Sequence, residues 1–350
     1  MPPVRQPSCG EDDDAVGRND VTQTRTRLIS VEEGFIIPEV VDELRRLAGG
    51  VPSMKSGPIA GPFMPKLLDI GAGRIAEMDA DGVDIQILSL SAPGVQKFDP
   101  DTALSLARLA NDSLSEAIKA HPDRFAGLAV APPQAPAEAA KELERAVTKL
   151  GLKGLIVNSH TGDEYLDDPK FWPLLEAVEA LGVPLYIHPR EPGAGLWDGL
   201  MAMTGFTVGW AYAVETGTHA LRMIAAGIFE RFPKLQIVLG HLGEGIPFML
   251  QRIDNRYPFE IGVTGRTPLP RKPSEYFRTN FTVATSGMNF AAPMRAAIDI
   301  LGADRIMFAA DHPMEDQKAV VDEYFTIPLT DAERRQISEL TARRVFKIAS

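Results

Sequence analysis

The sequence carries a single cysteine, Cys9, among 350 residues. One thiol can build neither a disulfide framework nor a cysteine-based zinc site, so the fold must rest on its own core, and cytoplasmic residence is the expectation. No apolar run reaches the roughly 20 residues needed to cross a bilayer. Residues 1–26 hold Gly-Glu-Asp-Asp-Asp and lack the apolar centre of a signal peptide, so they read as a disordered acidic arm ahead of one folded domain over 27–350. Basic charge is scarce too: 36 Lys and Arg stand against 47 Asp and Glu, a net charge of -11, and no basic run concentrates it. That balance argues against nucleic acid and against an anionic membrane surface, which leaves a small molecule as the expected partner.

What is present suits a large single core. Apolar residues make up 45% and charged residues 24% of the chain, close to the globular norm. From Arg27 onward, short apolar runs alternate with longer stretches of helical period, the pattern of βα units around a parallel sheet. Eight runs can be counted: Leu28 to Glu33, Asp84 to Leu90, Phe125 to Ala131, Leu152 to Asn158, Pro184 to Pro189, Gln236 to Leu242, Phe281 to Gly287 and Arg305 to Pro313. Eight predicts an α/β fold of the (β/α)8 type, a TIM barrel with loop insertions, which at about 250 residues plus insertions runs to this length as one domain. An open doubly wound sheet shows the same alternation, but no Gly-x-Gly-x-x-Gly follows the first run. Between the runs, Ala103 to Ala120 reads as a helix with a stripe of Leu104, Leu106, Leu109, Leu114 and Ile118, and Pro136 to Leu150 as another. Two longer connections, Pro52 to Leu67 and Glu191 to Val208, are rich in Gly, Pro and Met and are candidate lids or subunit contacts.

In a barrel the C-terminal ends of the strands face the catalytic mouth, so polar side chains there are informative. Five runs end in such residues: Glu32-Glu33, Asn158, His188, His241 and Asp311-His312. Glu32, His188 and Asp311 together offer an imidazole and two carboxylates, a set that suits zinc, manganese or iron with positions left open. His188 alone could equally be a hydrogen-bonded core histidine. His241 lies in Leu239-Gly240-His241-Leu242-Gly243-Glu244, where glycines let the backbone turn tightly; Glu244 either orients the imidazole or merely complements the N-terminus of the helix it opens. Arg252, eight residues further on, could hold a substrate carboxylate or pair with Asp254 on the surface. His121 precedes the third strand at the opposite end of a barrel and reads as structural. His219, expected at a helix start, and His160, in a loop, carry no catalytic signal.

In this order the residues resemble the amidohydrolase-related metal-dependent decarboxylases, the group containing 2,3-dihydroxybenzoate, γ-resorcylate and 5-carboxyvanillate decarboxylases. The likeness runs from Leu28 to Ile348. It is carried by Val31 to Phe35, Leu88 to Gln96, Asn111-Asp112, Ala120 to Phe125 (AHPDRF), Ile187 to Arg190, Leu239 to Pro247, Thr285 to Gly287 and Gly302 to Phe308. It implies that Glu32, His188 and Asp311 bind one divalent metal ion, zinc or manganese first and magnesium allowed. It further implies a catalytic pair of His241 and Glu244, with Asp311 as proton donor, and Arg252 holding the substrate. The implied reaction is non-oxidative decarboxylation of an ortho-hydroxy aromatic acid, with metal-assisted hydrolysis or hydration of a lactone, amide or double bond as the alternative. Homodimers or homotetramers are implied as well. Two departures stand out: Gly34 occupies a position where several members carry a further histidine ligand, which points to a three-ligand site, and His312 replaces an aromatic residue, which is expected to alter the pocket wall.

The acidic arm generates the first test. Deleting residues 1–24 should leave both melting temperature and turnover unchanged, because so polar a segment has little apolar surface to bury. A large loss of either would show that the arm docks on the folded domain.

Overall fold

The computed structural model describes residues 26–48, 61–202 and 205–349, so most of the acidic arm and residues 52–60 of the first long connection lie outside the described residues. Among the described residues nine strands follow one another: β1 (Ile29–Phe35), β2 (Ile85–Leu90), β3 (Phe125–Gly127), β4 (Ala129–Val130), β5 (Leu155–Asn158), β6 (Leu185–His188), β7 (Ile237–Leu239), β8 (Phe281–Ala284) and β9 (Ile306–Met307). β1 to β3 form one parallel sheet, and β4 to β9 form a second. β3 and β4 are halves of one extended run. The Leu128 amide donates to the Leu88 carbonyl at 2.9 Å and the Ala129 amide to the Gly154 carbonyl at 2.8 Å, so the chain leaves the ladder of β2 and enters that of β5 within two residues. Counted as one, they make eight strands in sequential parallel order, the arrangement of a TIM barrel.

Between β9 and β1 no ladder forms among the described residues; one backbone hydrogen bond and the side chains of Ser30 and Glu33 do the joining. The Gly34 amide donates to the His312 carbonyl at 2.7 Å, the Ala310 amide to Ser30 Oγ at 2.8 Å and to Glu33 Oε1 at 3.1 Å, and the His312 amide to Glu33 Oε2 at 3.1 Å. A register irregularity between Ser30 and Glu33 frees β1 to turn these groups toward the last strand. Burial pushes Glu33 up to about 8, against the hydrogen bonds from Ser30 and Ala310.

The strands are buried on both faces, as a covered parallel sheet requires. The helix Pro100–Ala120 begins at Asp99, whose carboxylate accepts from the amides of Asp101 and Thr102. Its buried face is Ala103, Leu106, Ala107, Ala110, Asn111 and Leu114, whereas Leu109 is 48% exposed. Of the expected stripe, Leu106 and Leu114 are buried and Leu109 is not, and the small residues Ala103, Ala107 and Ala110 complete the buried face. Asn111 has a structural duty, donating to the Val130 carbonyl and accepting from the Val130 amide, each at 2.9 Å. His121 ends this helix and packs edge-on against Phe125 at 5.9 Å, at the barrel end remote from the strand C-termini, as expected. Glu191 to Val208 is not a plain loop, since it contains the helix Ala194–Met201.

Arg74 shows how the first βα unit is locked. It is 2% exposed, and its guanidinium donates to the carbonyls of Asp69 (2.7 Å), Gly34 (2.7 Å) and Lys66 (2.8 Å) and to Gln86 Oε1 (3.2 Å). Burial lowers its pKa to about 10, opposed by nearby carboxylates. Replacing Arg74 with Ala strands these acceptors in the interior and should cost about 3–5 kcal/mol of stability. Thermal and urea unfolding would show it; a loss under about 1 kcal/mol would mean that the acceptors find other donors.

Candidate metal centre

Five strands of the barrel deliver one cluster. Glu32 comes from β1, Tyr186 and His188 from β6, His241 from the turn after β7, Ser286 from beyond β8, and Asp311 from beyond β9. One ligand atom each from Glu32, His188 and Asp311 lie within 4.8 Å of one another, and no other His, Cys, Asp or Glu group of three or more among the described residues does so. Glu32 is 2% exposed. Its Oε2 accepts from the hydroxyls of both Tyr186 and Ser286, while Oε1 is buried without a hydrogen-bond partner and lies 3.4 Å from His188 Nε2. His188 Nδ1 meets the Pro189 carbonyl at 2.7 Å, which places a proton on Nδ1 and leaves the Nε2 lone pair facing the carboxylates. An unpaired buried carboxylate oxygen, a directed imidazole lone pair and a second carboxylate fit a divalent cation. Gly34 adds no fourth ligand: a Cβ there would stand 2.5 Å from Ser91 Oγ.

His241 Nδ1 lies 2.9 Å from Glu244 Oε1 and its Nε2 3.8 Å from Asp311 Oδ2, so the expected pair reaches the cluster through Asp311. Burial opposes charge on His241, yet Glu244, Asp311 and Glu32 outweigh it and hold the ring well above its usual range. Burial raises Glu244, with His241 pulling the other way, and raises Asp311, again opposed by His241. Glu244 does not open the next helix. It stands in a left-handed turn in which His241, Leu242, Gly243, Glu244 and Gly245 all have φ between +48° and +84°, and the helix Ile246–Thr264 begins after it. Ser286 (φ +37°) and Asp311 (φ +63°) are also left-handed. Such backbone in non-glycine residues is strained by about 1–3 kcal/mol each and persists only where surrounding contacts over-determine it.

Two expected contributors are not brought into the cluster. Arg252 is exposed on the helix Ile246–Thr264 and makes no hydrogen bond or ion pair among the described residues; Asp254, its expected surface partner, accepts from Ser274 instead. His312 does not form the pocket wall: it is buried with Nε2 3.5 Å from Glu77 Oε2, and burial drops it to about 3. Sequence reasoning missed Tyr186 and Ser286. Tyr186 was open to inference, because it precedes His188 by two residues and so shares its face of β6.

A barrel of parallel strands that gathers carboxylates and imidazoles at its C-terminal mouth defines the metal-site α/β barrel enzymes. The chain belongs to the amidohydrolase family, whose model matches residues 62–348. Among its relatives, the γ-resorcylate decarboxylase of Rhizobium sp. is 40% identical over 330 residues, covering 91% of this chain and 98% of that protein. The crystal structure of 5-carboxyvanillate decarboxylase from Sphingomonas paucimobilis matches with a TM-score of 0.89 and 43% identity, covering 93% of this chain and 100% of the other. A dihydroxybenzoic acid decarboxylase from Polaromonas, solved with manganese and the inhibitor 2-nitroresorcinol, matches with a TM-score of 0.80 and 38% identity over 92% of this chain and 97% of the other.

The remaining histidines are structural. His219 lies within the helix Tyr212–Ala225 rather than at its start. Its Nε2 accepts from the Leu166 amide at 3.1 Å, so Nδ1 carries the proton and faces Ser159 Oγ at 3.3 Å, while Ser159 donates to Glu215 at 3.1 Å. The trio has the members of a hydrolase triad with the proton on the wrong nitrogen: this imidazole donates to the serine and cannot be its base. His160 Nε2 meets the Glu191 carbonyl at 3.1 Å.

Burial lowers His219 to about 3 from its ordinary 6.5. The unfolded chain then binds the extra proton between those values, so stability falls as pH drops from about 6.5 toward 3, by up to about 1.4 kcal/mol per pH unit for this one group. A His219→Gln variant should be less stable at neutral pH yet lose less on acidification. Parallel pH dependences of the urea midpoints would remove His219 as a source of acid lability.

Proposed function

We propose that the protein is a non-oxidative decarboxylase of an ortho-hydroxy aromatic carboxylic acid, working with one divalent cation held by Glu32, His188 and Asp311. The buried, unpartnered Oε1 of Glu32 beside the Nε2 of His188 carries this reading, since an anionic oxygen so placed asks for a cation. Manganese is the ion in the Polaromonas relative and is the first choice here, with zinc or magnesium as substitutes. When bound, the cation supplies a template and Lewis acid for adjacent hydroxyl and carboxylate oxygens.

The side chains divide the remaining work. Asp311 would deliver a proton to the ring carbon bearing the carboxylate. The bond from that carbon to the carboxylate carbon then breaks, its electron pair restores the aromatic ring, and carbon dioxide leaves. His241, held by Glu244 and facing Asp311, would stabilise the charge that develops while aromaticity is lost. Tyr186 and Ser286 would keep Glu32 in place. Arg252 stays in the proposal as an outer contact for a substrate carboxylate, because its helix starts two residues beyond Glu244. A homodimer or homotetramer is proposed as well, supported by the exposed Phe206, Val208 and Trp210 that follow β6. Cytoplasmic residence rests on the lone cysteine; among the described residues no helix is long and apolar enough to cross a membrane.

Position of the hydroxyl decides between chemistries. A 2-hydroxybenzoate-type acid should release carbon dioxide, while its meta-hydroxy isomer, which cannot form the same chelate or delocalise charge onto the reacting carbon, should not. Equal turnover of the two isomers would refute the mechanism, and water-dependent product from a lactone or ester with no carbon dioxide would establish hydrolysis instead.

Gly240 tests the ion site without replacing a ligand. A Cβ there would lie 2.5 Å from Glu32 Oε2 and 2.9 Å from Oε1, and Tyr186 and Ser286 leave Glu32 nowhere to retreat. The Gly240→Ala variant should retain manganese at least roughly tenfold more weakly after dialysis, with an unchanged circular dichroism spectrum. Unchanged metal retention would exclude Glu32 as a ligand.

A further inference from the structure

Asn158 ends β5 in register with His188 at the end of β6, and Ile156 pairs with Tyr186 two residues earlier. Register partners in a parallel ladder face the same side, and the Tyr186 hydroxyl reaches Glu32 inside the barrel. Asn158 therefore projects onto the inner face, beside His188 and one layer above Tyr186. Its backbone is clamped by one buried side chain: Gln96 Oε1 accepts from the Asn158 amide at 2.6 Å, and Gln96 Nε2 donates to the Asn158 carbonyl at 3.1 Å. The next residue, Ser159, is anchored to Glu215 and is itself left-handed at φ +41°. Against that fixed backbone, Asn158 is 1% exposed, and its buried Oδ1 and Nδ2 have no hydrogen-bond partner among the described residues. Gly94, after β2, makes room for it, since a Cβ there would come within 2.5 Å of Nδ2.

A buried amide with both ends unpaired is unfavourable, and most such groups find partners. Here the surroundings hold the residue in place without satisfying it. We propose that Asn158 is a substrate-binding residue whose carboxamide pairs with a polar ring substituent of the aromatic acid other than the hydroxyl and carboxylate next to the cation. A phenolic hydroxyl fits best, because it can accept from Nδ2 and donate to Oδ1. The inference rests on the decarboxylase reading for its substrate class and deepens it: the preferred substrate is an acid with a second ring hydroxyl.

The test compares manganese-loaded wild type with Asn158→Ala and Asn158→Leu, using 2-hydroxybenzoate and the dihydroxybenzoates that keep its ortho-hydroxyl. Asn158→Ala should lower kcat/KM roughly 10- to 100-fold for at least one dihydroxy acid while leaving 2-hydroxybenzoate within about threefold. Asn158→Leu fills the space without polar atoms and should show the same selectivity. No change, or an equal change for every acid, overturns the proposal, as does loss of the folded state in both variants, which would make the amide structural. If the wild type releases carbon dioxide from none of the acids, the decarboxylase reading fails, and calorimetric binding of the same acids decides the role of Asn158. A selective loss of affinity for a dihydroxy acid in the variants upholds it. Equal affinities, or no binding to the wild type, overturn it.

Discussion

Two adjacent glutamates in the middle of β1 are buried within a barrel built from apolar strands, and the rest of the molecule is arranged around making that tolerable. A carboxylate withdrawn from water is unfavourable by several kcal/mol unless hydrogen bonds or a cation compensate. Glu33 is compensated entirely by protein: it accepts from Ser30 and from the amides of Ala310 and His312, and so joins the last strand to the first. Glu32 is compensated only in part, through Tyr186 and Ser286 on one oxygen. Its free oxygen is what makes the cluster a candidate metal centre. Closure of the barrel and assembly of the site thus depend on the same stretch of chain.

Precision at the mouth comes from backbone the chain would not adopt alone. Ser159, His241, Leu242, Glu244, Ser286 and Asp311 all have positive φ, and they follow four of the eight strands, β5, β7, β8 and β9. The His241 turn places the imidazole between Glu244 and Asp311 at 2.9 and 3.8 Å. Strain of this kind is stable because the barrel beneath is closely packed, with β7 and β8 fully buried. Preorganised charged groups stabilise charge that develops in a reaction without having to reorganise first.

Much of this was legible in the residues. The eight apolar runs correspond to the strands, although the ladders are shorter, as with β5, which begins at Leu155 rather than Leu152. Glu32, His188 and Asp311 converge as their strand-end positions implied, and the match to the amidohydrolase family agrees with the motifs. The failures have physical reasons. Leu109 is 48% exposed although the apolar spacing places it on a buried face, because that spacing does not weigh the small residues Ala103, Ala107 and Ala110 that occupy the face instead. His312, expected in the pocket wall because the family carries an aromatic residue there, is instead buried with its ring 3.5 Å from Glu77, a residue far away in the chain that no local pattern brings to mind.

The sequence by itself determined the strand count, the parallel order and the Glu32, His188 and Asp311 members of the cluster, because strand periodicity and the polarity of strand ends are local properties of the chain. Tertiary structure alone decided the rest. Which glutamate oxygen stays free, which histidine nitrogen carries a proton, where Arg252 stands and why Asn158 is clamped yet unpaired all depend on contacts between residues far apart in the chain. Hydrogen bonds across a barrel are set by packing distance and angle, and no local pattern of residues encodes those.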